Sequence, residues 1–188
     1  PADLQKLVYA KTDIVILASR PMLEFNNMSI PGGIDCPGAE LVYRVKDFAP
    51  RPETLVVVNC AGRTRSIIGA QSLINAGLPN KVIALKNGTM GWHLAGFALE
   101  RGNKTEAPVP GPEALAMARA LAADVEKRFH IRRLDRGGLA RLTSQPDRTT
   151  YVFDVRSPAQ FAPGHLHGAV SARGGQRVAA THSNEIVG

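Results

Sequence analysis

Leu55-Val56-Val57-Val58-Asn59-Cys60-Ala61-Gly62-Arg63-Thr64-Arg65-Ser66 is the stretch on which the fold turns. Its opening run is apolar without alternation, the pattern of a strand covered on both faces in a parallel sheet. A helix is predicted over Ser66–Ala76, stopped by Gly77 with Pro79 just beyond. The loop between strand and helix points successive backbone N–H groups inward and forms an anion nest. The helix dipole adds partial positive charge at the same spot. Gly62 is expected to give the turn a conformation closed to bulkier residues. A cysteine at the first position of such a loop faces that field, which favours thiolate over thiol. Arg63 and Arg65 add two permanent positive charges. The same amides suit a persulfide and an incoming sulfur oxyanion, as a two-step, ping-pong transfer requires.

Further strands are predicted at Ile14–Ser19, Val82–Leu85 and Tyr151–Val155, again continuous in apolar character. Helices are predicted at Asp3–Ala10, Glu40–Phe48, Met90–Ala95 and Glu113–Phe129. Short connections between alternating strands and helices imply an α/β fold with an open sheet. Residues 102–112 are rich in Gly and Pro, lack apolar periodicity and read as a semi-extended linker. The expected division is therefore 1–101, a linker at 102–112, and 113–188.

The chain repeats itself at an interval of 136 residues, which places Arg20 on Arg156, Phe25 on Phe161, Ile30 on Leu166 and Gly32 on Gly168. Two copies of one fold is the simplest explanation. The partner of Cys60 in the second copy falls past position 188, so the chain is expected to be part of something longer.

The length of 188 residues, 44% of them hydrophobic, allows one large or two small globular domains. No apolar run reaches membrane-helix length, and no secretory leader is visible. Two cysteines are too few for a disulfide framework, which points to a reducing, cytoplasmic setting. The net charge of +7 is spread as +3 over 1–101 and +4 over 102–188. Without a basic run or many aromatics it does not indicate nucleic acid. His165 and His167, two apart, face opposite ways if extended and lack a third ligand, so no metal is expected.

Cys60-Ala61-Gly62-Arg63-Thr64-Arg65-Ser66 after an apolar strand resembles the active-site loop of the rhodanese (thiosulfate sulfurtransferase) family. Val82-Ile83-Ala84-Leu85-Lys86-Asn87-Gly88-Thr89-Met90-Gly91-Trp92 is similar to its closing motif. Phe153-Asp154-Val155-Arg156 with Gly164-His165-Leu166-His167-Gly168-Ala169 is similar to its opening motif. In the first copy Ala18 replaces the usual Asp of that opening pattern, and Met28-Ser29 replace Gly-His. The resemblance implies a small parallel sheet flanked by helices on both faces, once nearly complete and once partial. It also implies Cys60 as nucleophile, with Ala61, Gly62, Arg63, Thr64 and Arg65 cradling the sulfur. A small anionic donor such as thiosulfate and a thiol or cyanide acceptor follow, with no cofactor, nucleic acid or membrane. The oligomeric state is open, a homo-oligomer included.

Two rival readings stand beside this one. Cysteine phosphatases and arsenate reductases place Arg six positions after Cys, whereas here Arg65 is fifth and Ser66 sixth, a ring sized for sulfur. A non-catalytic binding or regulatory module is the other. Cys36 is read as a small apolar filler, with resolution of an oxidised Cys60 as the alternative. Arg20, Arg156 and Asp154 are read as structural ion-pairing groups, Gly88 and Gly91 as a turn beside the site, and Trp92 as a core anchor.

Overall fold

A computed structural model describes residues 1–38 and 40–172 of the chain. Strands β1 (Ile14–Ala18), β2 (Ile34–Asp35), β3 (Leu55–Asn59) and β4 (Val82–Ala84) form one parallel sheet in the order β2-β1-β3-β4. The two long strands pair in full register, from Ile14 with Leu55 to Ala18 with Asn59. They end at one edge, so the residues that follow, Ser19 and Cys60, emerge side by side.

The unbroken apolar character of β1 and β3 has a direct cause, since alternate side chains enter different cores. Val15, Leu17, Val56 and Val58 pack with Leu41 and Val45 of α3 (Leu41–Phe48) and with Ala70 and Leu73 of α4 (Thr64–Ala76). Ile16 and Val57 instead meet Leu4 of α1 (Ala2–Tyr9) and Trp92 of α5 (Gly88–Leu94), with Ile30 and Leu85. Each such side chain, fully buried, contributes about 1.5–3 kcal/mol. The predicted sheet with helices on both faces is thus present.

Several bounds differ from the sequence reading. α4 begins at Thr64 rather than Ser66, because the Arg63 carbonyl already accepts the Ile67 amide at 3.2 Å. It ends as predicted at Gly77, whose φ of +86° lets the Leu78 amide turn back to Leu73. The helix α2 (Met22–Asn27) and strand β2 go unpredicted, being too short to show a period.

Beyond residue 101 the chain lies against the first sheet before leaving it. Thr105 and Ala107 bond the two sides of Asp35, each at 2.9 Å, and Arg44 and Asp47 of α3 hold Pro108 and Gly111. The long helix α6 (Pro112–Arg128) then packs on α3 and α4 through Ala114 and Met117. After α7 (Arg136–Thr143), the predicted strand Tyr151–Val155 shortens to β5 (Phe153–Asp154). It is flanked by α8 (Pro158–Phe161) and paired with β6 (Val170–Ser171). Tyr151 and Val155 are each 53% exposed, since among the described residues β5 has a neighbouring strand on one side alone.

The interval of 136 found in the sequence recurs in the structure. Leu17 pairs with Ile34 and Ala18 with Asp35, while Phe153 pairs with Val170 and Asp154 with Ser171. Gly32 and Gly168 share a φ of +75°. Arg20 and Arg156 each donate to the carbonyl eight residues on, both at 2.8 Å. No helix among the described residues is long and apolar enough to cross a membrane.

Candidate active site

Cys60 stands where β3 hands over to α4. Its thiol donates to the Ser66 hydroxyl at 3.6 Å, and that hydroxyl donates to the Arg63 carbonyl at 2.9 Å. The sulfur is therefore tethered to the first turn of α4. Among the described residues, none of the amides from Ala61 to Ser66 donates to a protein acceptor. Those of the first helical turn are unpaired by the geometry of any α-helix.

The loop owes its orientation to α5. The Thr89 amide donates to the Cys60 carbonyl at 2.9 Å and the Met90 amide to the Ala61 carbonyl at 2.9 Å. No peptide bond is cis, and in a planar trans peptide the N–H points opposite to the preceding C=O. The amides of Ala61 and Gly62 must therefore face away from α5. Gly88 makes the approach possible. A Cβ there would lie 2.2 Å from the Cys60 carbonyl oxygen and 2.6 Å from that of Gly62, and its φ is +54°. The expected conformational demand on Gly62 is absent: its φ is outside the left-handed region and its surroundings are open. The glycine that the loop needs stands on the neighbouring helix.

The two loop arginines part company. Arg63 and Thr64 are exposed. Arg65 is half-buried and gives both terminal nitrogens to the Glu24 carboxylate of α2, at 2.9 and 2.6 Å. Those bonds hold the Glu24 carboxyl below its usual range and raise the Arg65 guanidinium, to which the Cys60 side chain also contributes. Cys60 is 2% exposed, while Ala61 and Gly62, which follow it, are partly open. The sulfur is thus less accessible than the sequence suggests.

Sequence reading expects ion pairs at both Arg20 and Arg156. Arg156 has one, to Asp154, but Arg20 forms no ion pair among the described residues. Cys36 is fully buried in the core beside Leu17, and burial pushes its thiol up to about 12. Trp92 is buried in the second core and donates to the Ala98 carbonyl at 2.8 Å. Sequence reasoning misses Glu24, Ser66 and Thr89. Ser66 carries a usable signal, a hydroxyl at the start of a predicted helix. Glu24, in an unpredicted helix far from Cys60 in sequence, carries none.

Residues 1–95 match the model of the rhodanese-like domain. The chain belongs to the rhodanese-like domain family. The match spans just over half of this chain and contains the whole four-stranded rhodanese-like sheet, with the Cys60 loop. Among solved structures, it is similar to thiosulfate sulfurtransferase from Pseudomonas aeruginosa, at 50% identity and a TM-score of 0.90. That similarity covers 96% of this chain and 35% of that one, so the chain spans about a third of its relative's length. A protein of unknown function and "possible tyrosine phosphatase" from Rhodopseudomonas palustris is 29% identical over 53% of this chain and 80% of its own, with a TM-score of 0.46. A protein from Bacillus halodurans is 19% identical over 54% of this chain and 74% of its own, with a TM-score of 0.48. No curated protein matches.

Proposed function

We propose that this rhodanese-like chain is a sulfurtransferase unit in which Cys60 carries the sulfur. The Cys60 thiolate attacks the outer sulfur of thiosulfate or a similar anionic donor. The sulfur–sulfur bond of the donor breaks, sulfite leaves with the bonding pair, and Cys60 becomes a persulfide. A nucleophilic acceptor, cyanide or a thiol, then takes the outer sulfur and returns the thiolate. No electron acceptor is needed, because each step exchanges one bond to sulfur for another.

The observation that carries this reading is the orientation of the loop. With the Cys60 and Ala61 carbonyls drawn to α5, the amides of Ala61 and Gly62 point away from that helix, and those from Ala61 to Ser66 have no protein acceptor among the described residues, which supports an anion cradle at the loop. Ala61, Gly62, Arg63, Thr64 and Arg65 supply those amides. Arg65, joined to Glu24, acts more as a brace for the loop than as a free anion ligand. Both cysteines are unpaired, in keeping with a reducing, cytoplasmic setting. Residues 113–188 are read as the opening part of a second copy of the domain, supported by the shared interval of 136 in pairing and backbone conformation.

A non-catalytic binding module is favoured by one observation, the 2% exposure of Cys60. The intact-protein mass after thiosulfate separates the two. A gain of about 32 Da that a reducing agent reverses, and that Cys60→Ser abolishes, is the expected result. An unchanged mass, with no thiocyanate formed on adding cyanide, assigns the chain to the binding class. Cys60-dependent hydrolysis of p-nitrophenyl phosphate is not expected and transfers the site to the phosphatases if seen.

A further inference from the structure

Residues 99–107, past the end of the family match at 95, are bound to the first domain more closely than a linker needs to be. Directly after α2, Ser29 and Glu100 exchange both backbone bonds, at 2.8 and 2.9 Å. The Gly102 amide donates to the Asn26 carbonyl at 2.8 Å, and Asn26 Nδ2 donates to the Asn103 carbonyl at 3.3 Å. Arg101 reaches the Asn27 carbonyl at 3.2 Å. Asn103 folds this turn. Its Nδ2 donates to the Gly33 carbonyl and the Glu100 carboxylate, at 3.3 and 2.9 Å, and its Oδ1 accepts the Thr105 amide at 2.8 Å. The side chain is buried, and Gly102 beside it has a φ of +73°.

These bonds bear on the sulfur site through α2. A helix of six residues is too short to hold itself together in water. Its N-cap, Pro21, makes no side-chain bond, and Phe25 is its one buried residue. The place of α2 is therefore set by what grips it, at Asn26, Asn27 and the Ser29 bridge. The same helix carries Glu24, whose carboxylate takes both terminal nitrogens of Arg65. Arg65 stands in the first turn of α4 beside Ser66, which holds the Cys60 thiol at 3.6 Å. Direct contacts thus run from residues 100–103 through α2 to the turn that tethers the sulfur. In this arrangement Cys60 is 2% exposed.

We propose, resting on the reading of Cys60 as the sulfur carrier, that Asn103 is a positioning residue of the sulfur site. It acts through α2 to keep Glu24 on Arg65 and the Cys60 loop closed. The sulfur-transfer unit then extends through residue 107, and displacement of the 100–103 turn opens the loop to donor and acceptor. Release has two effects of the same sign. The first turn of α4 loses its anchor on α2, which uncovers the thiol. Arg65 also regains a positive charge that Glu24 no longer neutralises, which favours thiolate.

The test is a double-mutant cycle in the full chain, Asn103→Ala with Glu24→Gln, read as the rate of iodoacetamide alkylation of Cys60 at pH 7. Mass mapping of the labelled peptides separates Cys60 from Cys36. Each single variant is expected to label Cys60 about fivefold faster than the parent, and the double variant within about twofold of Glu24→Gln alone. An unchanged rate in Asn103→Ala overturns the proposal. So does a multiplied effect of about 25-fold in the double variant, which makes the two residues independent. Labelling of Cys36 as fast as Cys60 also overturns it, because general unfolding exposes both thiols alike. Should Asn103→Ala not fold, Asn26→Ala, which removes a bond between the same turn and α2, takes its place. A rise of about threefold is then expected, and an unchanged rate overturns the idea. Iodoacetamide needs no sulfur donor, so a chain that fails the persulfide mass test still reveals whether Asn103 governs the loop.

Discussion

Thr89 grips the carbonyl oxygen of Cys60 twice, through its amide at 2.9 Å and its hydroxyl at 3.2 Å. Both donors come from the first turn of α5, and Thr89 is wholly buried. The consequence is steric and electrostatic together. Fixing that carbonyl fixes the peptide plane, and the plane decides where the Ala61 amide points.

Thr89→Val keeps the shape and the amide bond but removes the hydroxyl bond. Chemical denaturation should register a loss of about 1 kcal/mol, the ordinary net worth of one such bond. Sulfur transfer should fall by a few-fold. Equal stability and equal turnover in the variant mean that the amide alone orients the loop.

Gly88→Ala should be far more damaging. The added Cβ meets two backbone oxygens at 2.2 and 2.6 Å, neither of which is a flexible side-chain end, and the φ of +54° already disfavours any side chain. A loss of about 2–4 kcal/mol by denaturation is expected, within the range of severe single substitutions, with sulfur transfer down more than tenfold. Gly62→Ala, where the surroundings are open, should cost little by the same measurement.

Glu24→Gln bears on acid stability. The Glu24 carboxyl lies below its ordinary value because Arg65 donates two hydrogen bonds to it, with burial opposing. A depressed carboxyl contributes stability above its unfolded value of about 4.3 and loses it as pH falls through the folded one. The parent should therefore lose more stability than Glu24→Gln on acidification from about pH 5 to pH 3. At pH 7 the variant should be weaker by about 1 kcal/mol or less, since the Glu24 side chain is 42% exposed and solvent screens the pair. Parallel acid transitions in the two proteins count against this role for the pair.

Cys36 should be silent in native protein. It is fully buried, and its thiol is pushed up to about 12 by desolvation. Native Cys60→Ser should resist alkylation at pH 8, while the same protein in denaturant should take up one equivalent of reagent. Rapid labelling of the native variant places Cys36 within reach of solvent and reopens its role as a resolving thiol.

The local chemistry of the chain is legible in its residues. The unbroken apolar strand Leu55–Asn59, the Gly77 stop and the strand-to-helix handover at Cys60 are written into neighbouring positions, where periodicity and turn chemistry act. The interval of 136 is also readable, because repeated side chains leave a trace that needs no coordinates. Tertiary structure alone decided what surrounds the sulfur. Glu24 joins Arg65 across 41 residues of sequence and Thr89 meets Cys60 across 29. Gly88, not Gly62, carries the steric demand, and the Arg20 Nε is buried without an acceptor among the described residues. Parallel pairing brings distant strand ends to one edge, and no local pattern encodes which side chains meet there.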